Sequence, residues 1–159
     1  MSVRSTWRRR ARLFSLAILS TAILWTALAP DASAGYRGRL LRMVNATRDN
    51  HDLHTLRIDT SLSGKAMHHT RRMIDADAIY DPTNLSQIMS GEPWTSVAAS
   101  VVGCARGLRG LHRAFMHHAE HREILLDPKL RRIGIGLVKV YTRNSCGRRS
   151  FWGTELFYG

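Results

Sequence analysis

Acidic residues, cysteines and aromatics are scarce in this 159-residue chain, and each shortage narrows what the protein can be. Asp and Glu number 12 against 24 Lys and Arg, a formal net charge of +12, so long-range attraction favours anionic partners. Aromatics make up 8% of the residues and do not interleave with the basic ones, which argues against the aromatic-rich basic ribbon of a specific nucleic-acid binder. The cysteines are two, Cys104 and Cys146. The longest apolar stretch, residues 13–29, stops at 17 residues, the short end of the roughly 17–25 that a membrane-spanning helix needs. No internal repeat or low-complexity tract occurs, and the length suits one domain with a single core.

What the N-terminus does hold is the pattern of a leader. "RRRAR" (8–12) supplies a positive segment, "LFSLAILSTAILWTALA" (13–29) an apolar one, Pro30 interrupts it, and "ASA" (32–34) offers the small residues a signal peptidase inspects. Residues 1–34 are therefore expected to be a secretory signal cleaved after Ala34. This leaves a secreted or extracytoplasmic domain, residues 35–159, without a transmembrane segment. Arg9 and Arg10 keep the twin-arginine route open beside the general secretory one, although Arg12 stands where twin-arginine leaders usually carry an aromatic. Without the five arginines and one aspartate of the leader, 19 Lys and Arg face 11 Asp and Glu, a net charge of +8. Anionic cell-wall polymers or lipid head groups are the expected partners. In an exported domain an even cysteine pair more often forms a disulfide than a reactive site, so Cys104 is expected to be joined to Cys146.

Downstream, Leu40, Leu41 and Val44 recur at one-sided helical spacing between Tyr36 and Asn50, with Arg37, Arg39, Arg42 and Asp49 around the rest of the wheel. A second helix follows "RIDTSL": Leu62, Ala66, His69 and Met73 stack at steps of four, three and four, and Asp59 is the expected cap. His69 then lies on the buried stripe, where a histidine is more often a hydrogen-bonded core residue than a ligand, while His68 points elsewhere. Residues 81–96, "DPTNLSQIMSGEPWTS", carry Pro82, Gly91 and Pro93 among polar residues and read as a long loop. "VAASVVG" (97–103) suits a short buried strand or a turn. "LRGLHRAFMHHAEHR" (108–122) places Leu108, Leu111, Phe115 and Ala119 on one face of a third helix. "IGIGLVKVY" (133–141) and "FWGTELFY" (151–158) have the content of strands, and "TRNSCGRRS" between them reads as the turn of an antiparallel hairpin. Helices first and strands last give an α+β layered domain, with Cys146 in the hairpin loop near Cys104.

The order and spacing of "VNATR", "LRIDTSLSGKA", "IYDPTNL", "LHRAFM", "HREILLDP", "IGIGL" and "TELF", from about Leu40 to Phe157, carry a family likeness. The chain resembles the CAP superfamily of cysteine-rich secretory proteins, antigen 5 and plant pathogenesis-related proteins, and within it the compact exported bacterial domains. The resemblance implies a three-layer α-β-α sandwich, a central antiparallel sheet with helices on both faces. It also implies a cleft lined by two histidines and two acids, which in some members hold a divalent metal. His121 in "EHREIL" matches the second histidine, with His118 and Ala119 where the family has Ser-Pro. Asp81 in "YDPTNL" stands where bacterial members have the first histidine. The family's Gly-Glu-Asn motif falls on Ala98, Ala99 and Ser100 or one residue later, so its glutamate is missing; Glu92 in "GEPW" lies upstream of that position. The acid one turn before the second histidine reads His118.

If one helix runs through "AFMHHAEHREIL", His117 and His121 are four apart and present two imidazoles on one face. A catalytic zinc-like ion keeps three protein ligands and an open position. The resemblance places Asp81 near His121, which makes Asp81, His118 and His121 the candidate set for a divalent metal such as zinc. Glu120 and Glu123 turn to other helix faces. Glu155 in "TEL" is a better candidate cleft acid, with Thr154 and Leu156 on the other side of its strand. Ser100 has no base or oxyanion donor at a defined spacing, so serine catalysis is not expected. The expected function is a monomeric, non-catalytic binding or interaction module at the cell envelope with a degenerate cleft. The alternative is a metal-assisted hydrolase of peptides or cell-wall polymers, in which the ion acidifies a water.

Overall fold

The computed structural model describes residues 32–159; the expectation of a cleaved leader at 1–34 falls outside them, apart from the backbone of 32–34. Helix α1 (Ala32–Asp49) buries Leu40 and Val44, as their spacing predicts, and continues the same stripe to Arg48. Arg48 is fully buried, its Nε donating to the His54 carbonyl at 2.8 Å and one terminal nitrogen to the carbonyls of Leu125 at 2.8 Å and Asp127 at 3.1 Å. A side chain that looks like surface charge thus ties the end of α1 to two later loops.

A two-residue strand, β1 (Arg57–Ile58), leads into α2 (Thr60–Asp75). Asp59 is its cap, accepting from the Leu62 N–H at 2.9 Å. The stretch read as loop holds one helical turn, α3 (Leu85–Ile88), started by Asn84 accepting from the Gln87 N–H at 3.1 Å; four residues are too few to show a period. "VAASVVG" is a strand, within β2 (Ala98–Ala105). Two helices, α4 (Leu108–His117) and α5 (Ala119–Leu125), stand where the sequence predicts one. Strands β3 (Arg132–Val140) and β4 (Ser150–Tyr158) form the antiparallel hairpin.

The four strands lie in the order β1-β3-β4-β2. The α+β sandwich stands, but its sheet is mixed rather than antiparallel throughout, because β1 runs parallel to β3 with Arg57 beside Arg132 and Ile58 beside Ile133. Both β1 side chains are exposed, so two residues give no alternation from which a strand could be read. Strand β4 is buried from end to end, with α2 and α3 over one face and α1, α4 and α5 over the other. Leu62 and Ala66 meet Leu156 and Tyr158, and Met73 packs beside Val102 and Trp152. On the opposite face Leu40, Val44, Leu111 and Phe115 share a core with Ile133, Ile135 and Phe157.

Helix α2 sits unusually close to the sheet because β3 offers it glycine. A Cβ on Gly136 would run into the backbone of Ala66 and Met67, and one on Gly134 would meet Leu62. The close approach lets α2 replace the missing length of β1. The Asp59 N–H donates to the Ile133 carbonyl at 2.8 Å, and the Ile135 N–H donates to Ser63 Oγ at 3.1 Å. Thr70 Oγ1 lies 2.9 Å from Thr154 Oγ1 on the central strand.

The cysteines are joined as the sequence predicts, Cys104 on β2 to Cys146 in the β3–β4 loop, with Cα atoms 6.0 Å apart. Reduction, or paired Cys104→Ser and Cys146→Ser changes, is expected to lower stability by about 4 kcal/mol in the chain-entropy model. Urea denaturation with and without reductant measures it; coincident midpoints would contradict it. Gly136→Ala is expected to cost roughly 3 kcal/mol, the upper end of overpacking, because the obstacle is helix backbone rather than a movable side chain.

Candidate functional site

The histidine-rich segment is shaped by a break in phase. Leu108, Leu111 and Phe115 face the core, and an uninterrupted helix would carry that stripe on to Ala119 and Arg122. Instead Ala119 and Arg122 are exposed, whereas His121, Ile124 and Leu125 turn inward. The change of face occurs at His118, whose backbone is extended (φ −84°, ψ 120°) and which ends α4 and starts α5 together. Its N–H donates to the Ala114 carbonyl at 3.2 Å, and its carbonyl accepts from the Arg122 N–H at 2.9 Å.

This corrects the pairing of His117 with His121, which required a continuous helix. His117 ends α4 in solvent, and the imidazoles that meet are those of His118 and His121, with centroids 4.5 Å apart and planes tilted by 39°. His121 also lies edge-on to Phe115, with centroids 5.7 Å apart. Burial holds the His121 pKa below the usual imidazole value and the neighbouring His118 depresses it further, opposed by the carboxylates of Asp81 and Glu120. Asp81, exposed between α2 and α3, therefore comes within electrostatic reach of His121 from the far side of the sequence.

The two imidazoles can hydrogen-bond a polar or charged ligand. They do not fit the three-ligand ion expected of Asp81, His118 and His121: among the described residues no three His, Cys, Asp or Glu side chains come together to hold a metal. Ala98 packs toward Leu156 and Tyr158, and Ala99 joins the core of the other face, so the strand where the family motif falls brings no carboxylate. Glu92 is held elsewhere, 2.7 Å from Lys65 Nζ and accepting from Ser61 Oγ at 2.8 Å, which pins its loop to α2. His69 is buried, with Nε2 bonded to the Tyr80 carbonyl at 2.8 Å, the core role its stripe predicts.

Glu155 lies deeper than the sequence suggests. It is fully buried on β4 between Val101 and Ile135, Thr154 and Leu156 face the α2 layer, and neither carboxylate oxygen has a hydrogen-bond partner in the structure. No bond joins it to Asp81, His118 or His121, and burial pushes its pKa up to about 8. His112, which the sequence did not single out, is half-buried on α4 with Nε2 2.8 Å from Thr47 Oγ1 on α1, and burial lowers its pKa. Its place four residues after Leu108, at the margin of the apolar stripe, was the available signal.

The family described as CAP, the cysteine-rich secretory protein family, matches residues 41–155. The fold is similar to that of an outer surface protein from Borrelia burgdorferi, at TM-score 0.64 and 16% identity over 79% of this chain and 93% of that one. It is also similar to an extracellular protein containing an SCP domain from Bacillus anthracis, at TM-score 0.64 and 19% identity over 82% of this chain and 44% of the other. A cysteine-rich secretory protein from Staphylococcus aureus gives TM-score 0.62 and 17% identity, over 79% of this chain and 39% of its own. Among curated proteins no match is found.

Glu155 has a measurable consequence. Its folded pKa of about 8 lies above the ordinary 4.5, so the folded state holds a proton that the unfolded state releases between those values. Stability is expected to be greatest below pH 4.5 from this group and to fall with rising pH by up to about 1.4 kcal/mol per unit until it levels near pH 8. Glu155→Gln should remove that slope; unfolding midpoints with the same pH dependence in both proteins would contradict it.

Proposed function

The chain belongs to the CAP, or cysteine-rich secretory protein, family, and we propose that it is an exported, non-catalytic binding module at the cell envelope. The observation that carries this reading is the composition of the cleft. The aligned glutamate is absent, Asp81 stands in for a histidine, and among the described residues no third His, Cys, Asp or Glu joins the His118–His121 pair closely enough to hold an ion with it. The remaining acid of the sheet, Glu155, is sealed in the core without a hydrogen-bond partner in the structure, a position suited to packing rather than to proton exchange with a substrate.

Export is supported by the leader pattern in the sequence, by the disulfide, and by the extracellular or outer-surface character of similar structures. No described helix is long and apolar enough to cross a membrane. The net charge of +8 on residues 35–159 supports an anionic ligand.

The metal-assisted hydrolase keeps one observation in its favour, the packed His118–His121 pair with Asp81 in electrostatic reach of His121. Calorimetric titration separates the two readings. The folded chain is expected to take up zinc, manganese and calcium without saturation, and to release no fragments from peptides or wall polymers. Saturable binding together with metal-dependent turnover, both abolished by His121→Ala, would replace the binding module with the hydrolase.

A further inference from the structure

A wide concavity among the described residues lies away from the histidine pair. It is an open groove of about 730 Å³ between α1 and the first turn of α4, closed at one end by β3 and β4. Arg39, Arg42, Met43 and Ala46 line it from α1, at the three- and four-residue steps that put side chains on one helix face. Arg106 enters from the approach to α4, Arg109 from its first turn, and Lys139 from β3. No Asp or Glu lines the groove, and none of these five cations is ion-paired within the described residues.

We propose that this groove binds a linear phosphate-bearing polymer. The inference rests on the binding-module reading and names the ligand class and the surface that takes it. Unopposed cations converging on a concave surface create a positive potential that attracts and aligns a polyanion. The walls are preorganised. Arg106 is two residues from the disulfide-bonded Cys104, and its guanidinium lies close to Gly147 in the loop that the same disulfide anchors. Lys139 is held over the rings of Tyr36, Tyr141 and Phe151, at 6.0, 5.0 and 5.5 Å from their centroids.

The start of α4 adds peptide donors. Gly107 reaches its position with φ +84°, no side chain caps the helix, and no acid occupies its first turn, so the first N–H groups are open to an anion beside Arg109. Concavity decides between polymer and membrane. A groove of this volume accommodates a chain segment, whereas a bilayer presents a broad surface that cannot follow the cleft between two helices. The exposed arginines of α2, Arg71 and Arg72, lie outside it and provide a control of equal charge.

The test uses the full chain and three probes: inorganic polyphosphate, orthophosphate, and phosphatidylglycerol vesicles. Polyphosphate is expected to bind with an affinity that falls steeply with salt, while Arg39→Gln with Arg42→Gln weakens it about tenfold or more. The same pair should flatten the salt dependence by roughly 1.4 log units per log unit of salt, at about 0.7 per contact. Arg71→Gln with Arg72→Gln should leave binding near wild type. Equal losses in both pairs, no polyphosphate binding, or vesicle binding as strong and as sensitive to the α1 pair would overturn the proposal. Turnover dependent on His121 is read in a separate assay, so failure of the non-catalytic reading and failure of the groove remain distinguishable.

Discussion

The constraint on which the rest depends is the burial of β4 along its whole length. A strand with no solvent face must be covered on both sides, and that requirement calls up the two helical layers. It explains why β3 carries glycines under α2, where the helix backbone lies against the sheet. It also explains why Glu155 is dry: alternation along β4 places every odd side chain from Phe151 to Phe157 in the α1–α4 core, whatever its polarity.

The same constraint separates the two surfaces on which function could reside. The histidine pair lies where the polypeptide changes face at His118, and its geometry comes from bringing Leu125 inward rather than from a ligand shell. The basic groove lies at the far end of the central strand, where Phe151 reaches its floor and the disulfide fixes its margin. The histidine pair has no acid hydrogen-bonded to it among the described residues, and the groove is lined by cations without acids.

Much of this could be read from the residues. The Leu62–Ala66–His69–Met73 stripe, the Asp59 cap and the terminal hairpin are local patterns, the cysteine pairing follows from there being two cysteines, and the structure has each of them. The break at His118 was hidden because the segment carries neither proline nor glycine, so only the change of burial phase, a tertiary property, reveals it. Strand β1 and helix α3 were too short to show a period. Arg48 and the groove were missed for a common reason: arginine reads as solvated surface until the fold shows whether it is buried on carbonyls or grouped in a concavity. In the candidate site, the electrostatic reach of Asp81 to His121 could be drawn only from family likeness, since it joins residues forty positions apart.

The most direct test of where this domain binds is residue-resolved amide NMR of the folded chain during titration with inorganic polyphosphate. The expected shifts centre on Arg39, Arg42 and the Leu108–Gly110 turn and leave Asp81, His118 and His121 in place. Shifts centred on those three residues, with α1 and the start of α4 silent, would contradict it and return the function to the cleft.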